Sequence, residues 1–306
     1  CNNIYGVDIE RGAIDIARLR FWLSIVVDER TPQTLPNLDY KFMQGNSLYT
    51  TFDGEYVNID TQKQRHLNVQ KMHEEKKKFY NLKVQYYSAT GDRKHELGIE
   101  IKNSILTIIA LQLDFEYRQL VENNAALTLP LGENAMFADV KEQLSPEKQR
   151  ICNLGEELRN KLNDKSKSLT ERAQIDIRFF DWRMMFTEVF EGENPGFDIV
   201  IGNPPYVNIA NIKDAKYRNT LKKNYSITKN KCDLYAYFVQ LSFELLSKEG
   251  ATSFIIPETW KATESFSLLR ELIMCHHRIM QVVNLKMGVF DAVVRPMVGM
   301  LNNQYN

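Results

Sequence analysis

A chain of 306 residues with 43% hydrophobic and 25% charged side chains has the make-up of a folded globular protein, which excludes a disordered or collagenous one. Its 39 basic and 39 acidic residues cancel, so bulk charge neither selects nor excludes a nucleic-acid partner, and only local clustering can. The four cysteines stand apart without a CxxC pair, and the longest apolar run, 105–113, is interrupted by Thr107 and Gln112; these features argue against a disulfide framework, a zinc knuckle and a membrane span, and suit a reducing cytoplasm.

Residues 3–8 read as a short buried strand ending at Asp8, entered almost at once from Cys1, so the chain reads as a piece of a longer protein. The spacing of Ile16, Leu19, Leu23, Val26 and Val27 predicts a helix over 11–29. Pro32 and Pro36 break the chain, and Tyr40-Lys41-Phe42-Met43 then predicts a second strand running into Gly45-Asn46-Ser47. From about 55 to 170 the texture changes to long charged stretches with apolar residues at helical spacing, the pattern of a helical insertion with solvated outer faces.

Strand texture returns at 197–201, 251–256, 280–285 and 297–301. A helix over 233–248, closed by Gly250 as its C-cap, fits between the first two. Strands alternating with helices predict a doubly wound α/β sheet, in which ligands sit at the carboxyl ends of the strands. Asp8, Asn46 and Asn203 all fall at such ends.

The stretch DIVIGNPPYV, 198–207, carries the clearest chemistry. An apolar strand delivers Asn203 to the rim of the sheet, and Pro204 and Pro205 then hold the backbone rigid while offering carbonyl acceptors and no N–H. The Asn203 amide oxygen adds another acceptor, and Tyr206 adds a flat ring beside them. Such a cluster suits the exocyclic NH2 of a planar heterocycle. No metal site is predicted, because His66, His73, His95, His276 and His277 have no HExxH-like spacing and the last two are neighbours pointing apart on a helix.

DIVIGNPPYV resembles motif IV of the S-adenosylmethionine-dependent methyltransferases that act on exocyclic amino nitrogens, above all the adenine-specific DNA methylases. NIYGVDIERGAIDIARLRFWLS resembles the segment after their glycine-rich loop, KFMQGNSL their third motif, and FFDWRMMFTEVF a lead-in found in type IIG restriction-modification enzymes. The resemblance implies a Rossmann-like methyltransferase domain in two parts, 1–50 and 176–306, divided by a helical insertion over 51–175. It places Asp8 on the cofactor's ribose, Ile9 and Asn46 at its adenine, and Ser47 beside them. Asn203, Pro204, Pro205 and Tyr206 become the catalytic motif, with the target base flipped out of double-stranded DNA and sandwiched between Tyr206 and Phe290.

Lys213, Lys216, Arg218, Lys222 and Lys223 cluster just after the motif, where a flexible basic stretch could neutralise DNA phosphates. The family's glycine-rich loop and its upstream nuclease would precede Cys1, and its target-recognition domain would follow Asn306. Asp92 with Glu100-Ile101-Lys102 fits a bare nuclease pattern, but in helical texture. Protein-glutamine and RNA-adenine methyl transfer remain open for the same chemical reason, as does a non-catalytic DNA-binding fragment.

Overall fold

A computed structural model describes residues 3–28, 37–52, 55–56, 68–125, 146–163, 179–227, 232–285 and 296–302. Phe290 and the first proline break, Pro32 to Pro36, lie outside the described residues. The chain divides into two compact units, one of 1–6, 10–45 and 50–179, the other of 7–9, 46–49 and 180–306.

The strand–helix–strand reading of the N-terminal region holds. Strand β1 (Gly6–Asp8) precedes helix α1 (Arg11–Asp28), and β2 (Phe42–Gln44) joins β1 in a two-stranded sheet. Gly6 lies against the Phe42 ring, where a Cβ would come within 2.7 Å of Cδ1. The predicted apolar stripe of α1 is not its buried one: Ile16, Leu19, Leu23, Val26 and Val27 are exposed, whereas Ile14 packs on Leu38 and Phe42 with Ala17, Phe21 and Trp22 beside it. The helix carries two apolar stripes, and contact with β2 selected the other one.

A short antiparallel pair, β3 (Thr51–Phe52) and β4 (Glu55–Tyr56), opens the stretch read as an insertion, and its described residues beyond that pair lie mainly in three helices. Helix α2 (Asn68–Ser88) packs on α3 (Gly91–Ala125), which packs on α4 (Pro146–Asn163). Leu97, Ile101, Leu106, Ile108, Ile109 and Leu113 are fully buried along α3, and so is Phe79 of α2. Each such side chain contributes roughly 1.5–3 kcal/mol of burial. Asp92, Glu100 and Lys102 all lie on α3, where Glu100 pairs with Arg93 at 3.4 Å and Ile101 is core, so the nuclease-like string is a helix surface.

In the second unit, two short helices, α5 (Trp182–Met185) and α6 (Thr187–Phe190), lead into β5 (Phe197–Gly202). Asp181 caps α5 by accepting from the Met184 N–H at 2.8 Å. Helices α7 (Ala215–Asn224) and α8 (Leu234–Leu245) carry the chain to β6 (Leu246–Pro257), which lies parallel to β5. Helix α9 (Ser267–His276), β7 (Arg278–Asn284) and β8 (Pro296–Asn302) complete the unit. The sheet order is β5-β6-β8-β7, with β8 antiparallel to both of its neighbours.

Helix α8 is apolar around almost its whole circumference and is buried accordingly. It shares a core with Phe254 and Ile256 of β6 and with Leu269 and Ile273 of α9. The alternate residues of β5 face away from that core, and Ile199 and Ile201 stay 69% and 76% exposed. Gly250 is not the helix cap predicted for it. Helix α8 ends at Leu245, Leu246 is already extended, and Gly250 sits inside β6 where a Cβ would stand 2.6 Å from the Phe197 carbonyl oxygen. Close backbone approach across the β5–β6 bulge, not chain reversal, requires glycine at 250.

Candidate functional site at the carboxyl end of strand β5

Strand β5 ends at Gly202, paired in register with Phe254 of β6. A Cβ at 202 would lie 2.7 Å from Phe254 Cε1, so glycine lets the strand end rest on the ring. Asn203 follows at the surface, then buried Pro204 and exposed Pro205. Tyr206 turns back to the sheet: its hydroxyl donates to the Ile255 carbonyl at 2.9 Å and also lies 3.2 Å from the Asn203 amide oxygen. Its ring stands edge-on to buried Tyr235, with centroids 6.4 Å apart, and Tyr235 stacks on Phe266 at 5.2 Å. Burial pushes the Tyr206 hydroxyl above its ordinary pKa, so it remains a protonated donor at neutral pH.

The loop beyond is clamped by the start of α8. The Leu234 N–H donates to the Val207 carbonyl at 2.8 Å, the Ile209 N–H to the Cys232 carbonyl at 3.1 Å, and the Asn208 amide to Asp233 at 3.0 Å. Asp214 then caps α7 by accepting from the Tyr217 N–H at 3.1 Å. The segment predicted as a flexible basic stretch is therefore a capped helix over 215–224. Lys213, Lys222 and Lys223 are exposed and Lys216 is half-buried, but the Arg218 guanidinium is tied to the Ile212 carbonyl and the Asp214 carbonyl accepts the Arg218 N–H. Lys222 and Lys223 also occupy the last turn, where cations suit the helix dipole whatever else they do.

The inner face of α7 and the residue after it grip the loop 46–49. Tyr217 packs on Tyr49 with centroids 4.8 Å apart, and the Asn46 side chain hydrogen-bonds its hydroxyl. Burial, set against that bond, pushes the Tyr217 pKa to about 12. Buried Tyr225 donates to the Leu48 carbonyl at 2.6 Å, and Trp182 Nε1 donates to the Ser47 carbonyl at 3.0 Å. Asn46 Oδ1 accepts from the Leu48 N–H at 2.9 Å, closing a local turn.

Asp8, Ile9, Asn46 and Ser47 fall in the same compact unit as Asn203, Pro204, Pro205 and Tyr206. As holders of a nucleoside group they fit in part. Asp8 is an exposed carboxylate at a strand end, and Ile9 beside it is 64% exposed, an apolar surface able to cover a ring. The Asn46 amide is engaged by the Leu48 N–H and by Tyr217, which fixes its orientation and leaves one N–H and one lone pair for a ligand. Phe290 lies outside the described residues. Reading the sequence for strand ends found the motif but missed Trp182, Tyr217, Tyr225 and Tyr235; a signal for Trp182 and Tyr235 was present in the aromatic density of 179–186 and 235–238.

No group of His, Cys, Asp and Glu among the described residues is placed to hold a metal ion, and no described helix is long and apolar enough to cross a membrane. Rigid acceptors and an aromatic ring thus stand together at the carboxyl end of β5. The chain belongs to the Eco57I restriction-modification methylase family, which matches residues 2–290. It is 26% identical over 95% of its length to a protein of Methanocaldococcus jannaschii provisionally assigned as a type II restriction enzyme and methyltransferase, and covers 25% of that protein. It is 33% identical over 36% of its length to the type II methyltransferase M.BstVI of Geobacillus stearothermophilus, covering 19% of it. The chain thus spans a quarter or less of the length of these relatives. Among solved structures, the ATP-dependent Type ISP restriction-modification enzyme LlaBIII bound to DNA overlaps 65% of this chain and 16% of its own, at 16% identity and a TM-score of 0.31, too slight a likeness to build on.

Proposed function

We propose that this chain carries the methyl-transfer site of a DNA methyltransferase acting on the exocyclic N6 amino group of adenine in double-stranded DNA, with S-adenosylmethionine as donor. The observation that carries the reading is Asn203-Pro204-Pro205-Tyr206 at the carboxyl end of β5, with a surface amide, a proline-fixed backbone and a ring anchored through Ile255. Membership of a restriction-modification methylase family supports DNA as the substrate.

Adenine's amino nitrogen is a weak nucleophile because its lone pair is shared with the ring. Two acceptors, Asn203 Oδ1 and the Pro204 carbonyl, can take hydrogen bonds from its two N–H groups and draw the nitrogen toward a tetrahedral shape that frees the lone pair. Pro204 and Pro205 keep those acceptors in place without offering a competing donor. Tyr206 presents a ring for a flipped base to stack on, its tilt set by the Ile255 bond and the Tyr235 edge. The donor supplies an electrophilic methyl group on a sulfonium. Asp8 would hold its ribose hydroxyls, Ile9 its adenine face, and the 46–47 turn its adenine edge. Lys213, Lys216, Lys222 and Lys223 would meet phosphates beside the pocket.

The test is nucleoside mass spectrometry of host DNA after expression of the full-length protein, beside Asn203→Ala. Adenine methylated on N6, at least a hundredfold lower in the variant, is the expected result. Unmodified DNA with methylated RNA adenine or protein glutamine would move the same pocket to another acceptor and overturn the DNA reading.

A further inference from the structure

The Asn203 amide has two orientations related by a 180° turn, and only one of them serves an incoming NH2. With Oδ1 outward the side chain accepts; with the nitrogen outward it presents donors to a donor and repels the substrate. Something must choose between them. Among the described residues, the only hydrogen-bond partner of the Asn203 side chain is the Tyr206 hydroxyl, 3.2 Å away.

That hydroxyl has one proton. The Ile255 carbonyl, 2.9 Å from it, can only accept, so the proton goes there. The hydroxyl then faces Asn203 with lone pairs alone, and an amide oxygen at that distance would meet them with no proton between. The amide nitrogen, by contrast, can donate into them. Oxygen and nitrogen of an amide are told apart by such networks and not by shape. The orientation that satisfies both contacts puts Nδ2 toward Tyr206 and Oδ1 toward the open side.

We infer that the Tyr206 hydroxyl is a positioning group that fixes the Asn203 amide with its oxygen outward, by donating to Ile255 and accepting from Asn203. The inference rests on the amino-methylase reading and adds to it a role for the hydroxyl separate from that of the ring. The geometry is stiff enough to hold the choice. Tyr206 stands edge-on to Tyr235, Tyr235 stacks on Phe266 and shares a hydrogen bond with Thr259 at 3.4 Å, and both of these rings are buried. A hydroxyl so placed cannot swing away from Ile255 without moving the core beneath it.

Tyr206→Phe keeps the ring and removes only the selector. In the full-length protein, turnover number for adenine methylation should fall about three- to tenfold, the range one neutral hydrogen bond supplies, while KM for DNA stays within about twofold. A loosened loop would instead raise KM and lower the melting temperature. The second measurement needs no turnover: with asparagine labelled in its side-chain amide, one of the two Asn203 Hδ2 resonances should be shifted by its hydrogen bond in the wild type, and that shift should vanish in Tyr206→Phe. An unchanged amide signal overturns the inference, whether or not turnover falls. A shifted signal lost in Tyr206→Phe, in a protein that methylates no adenine, would uphold the amide orientation and sink the proposed substrate instead.

Discussion

Gly202→Ala places one methyl group where the strand that carries the motif meets the core. The new Cβ would stand 2.7 Å from Phe254 Cε1, closer than such atoms sit, and a tight 3.2 Å from Cδ1. Phe254 is buried in the main core of its unit, so its ring cannot retreat as a surface chain would. Relief has to come from the backbone of β5 or from repacking around the ring, and overpacking of this kind costs about 1–3 kcal/mol. For domains of about 150–250 residues that converts to a fall in melting temperature of roughly 2–12 °C. Because Asn203 is the next residue, a shift of a few tenths of an ångström also moves an acceptor, and turnover should drop more than stability explains. Calorimetry and methyl-transfer rates on Gly202→Ala, Phe254→Leu and the double variant make the test. The double variant should recover part of both losses, because the smaller side chain vacates the space that the methyl enters. If Gly202→Ala melts with the wild type and methylates at the same rate, the strand end does not rest on Phe254 and the account of glycine at 202 fails.

Two other outcomes follow from groups that do not touch the reacting atoms. His277 is buried against Phe243, with ring centroids 3.4 Å apart, and burial followed by the neighbouring His276 lowers its pKa to about 4. The unfolded chain binds the proton first, so this contribution to stability is complete above about pH 6.5 and is lost as pH falls toward 4, by at most about 3 kcal/mol. His277→Gln should flatten the urea-midpoint profile between pH 6.5 and 4, and an equally steep profile in that variant would refute the assignment. Neutralising Lys222 and Lys223 to Gln should lower the slope of log affinity for DNA against log salt by about 1–2; an unchanged slope would leave these lysines as charges at a helix end.

The N-terminal region shows how far local pattern reaches. Strand β1, helix α1 and strand β2 were legible because buried strands and amphipathic helices impose periods of two and 3.6 on apolar residues. The same periodicity could not say which of two apolar stripes on α1 would be covered. Contact with Leu38 and Phe42 chose the one through Ile14, Phe21 and Trp22. Likewise the apolar run after Asp233 was legible as a helix, yet its end was not. Gly250 reads equally well as a helix cap or as a residue without a Cβ, and the Phe197 carbonyl across the sheet decided for the second.

What the sequence alone determined is the motif and its place: an apolar strand followed by Asn-Pro-Pro-Tyr has few backbone solutions, because proline restricts its own φ and the conformation of the residue before it. What only the tertiary structure decided is what each side chain is free to do. Asn46 reads as a ligand residue, and the fold ties its amide to the Leu48 N–H and to Tyr217. Arg218 reads as a phosphate contact, and the fold ties one edge of its guanidinium to the Ile212 carbonyl. Tyr206 reads as a stacking ring, and its hydroxyl finds Ile255, 49 residues away in sequence and on the next strand. Hydrogen-bond partners distant in sequence leave no period in it, so their assignment waits on the fold.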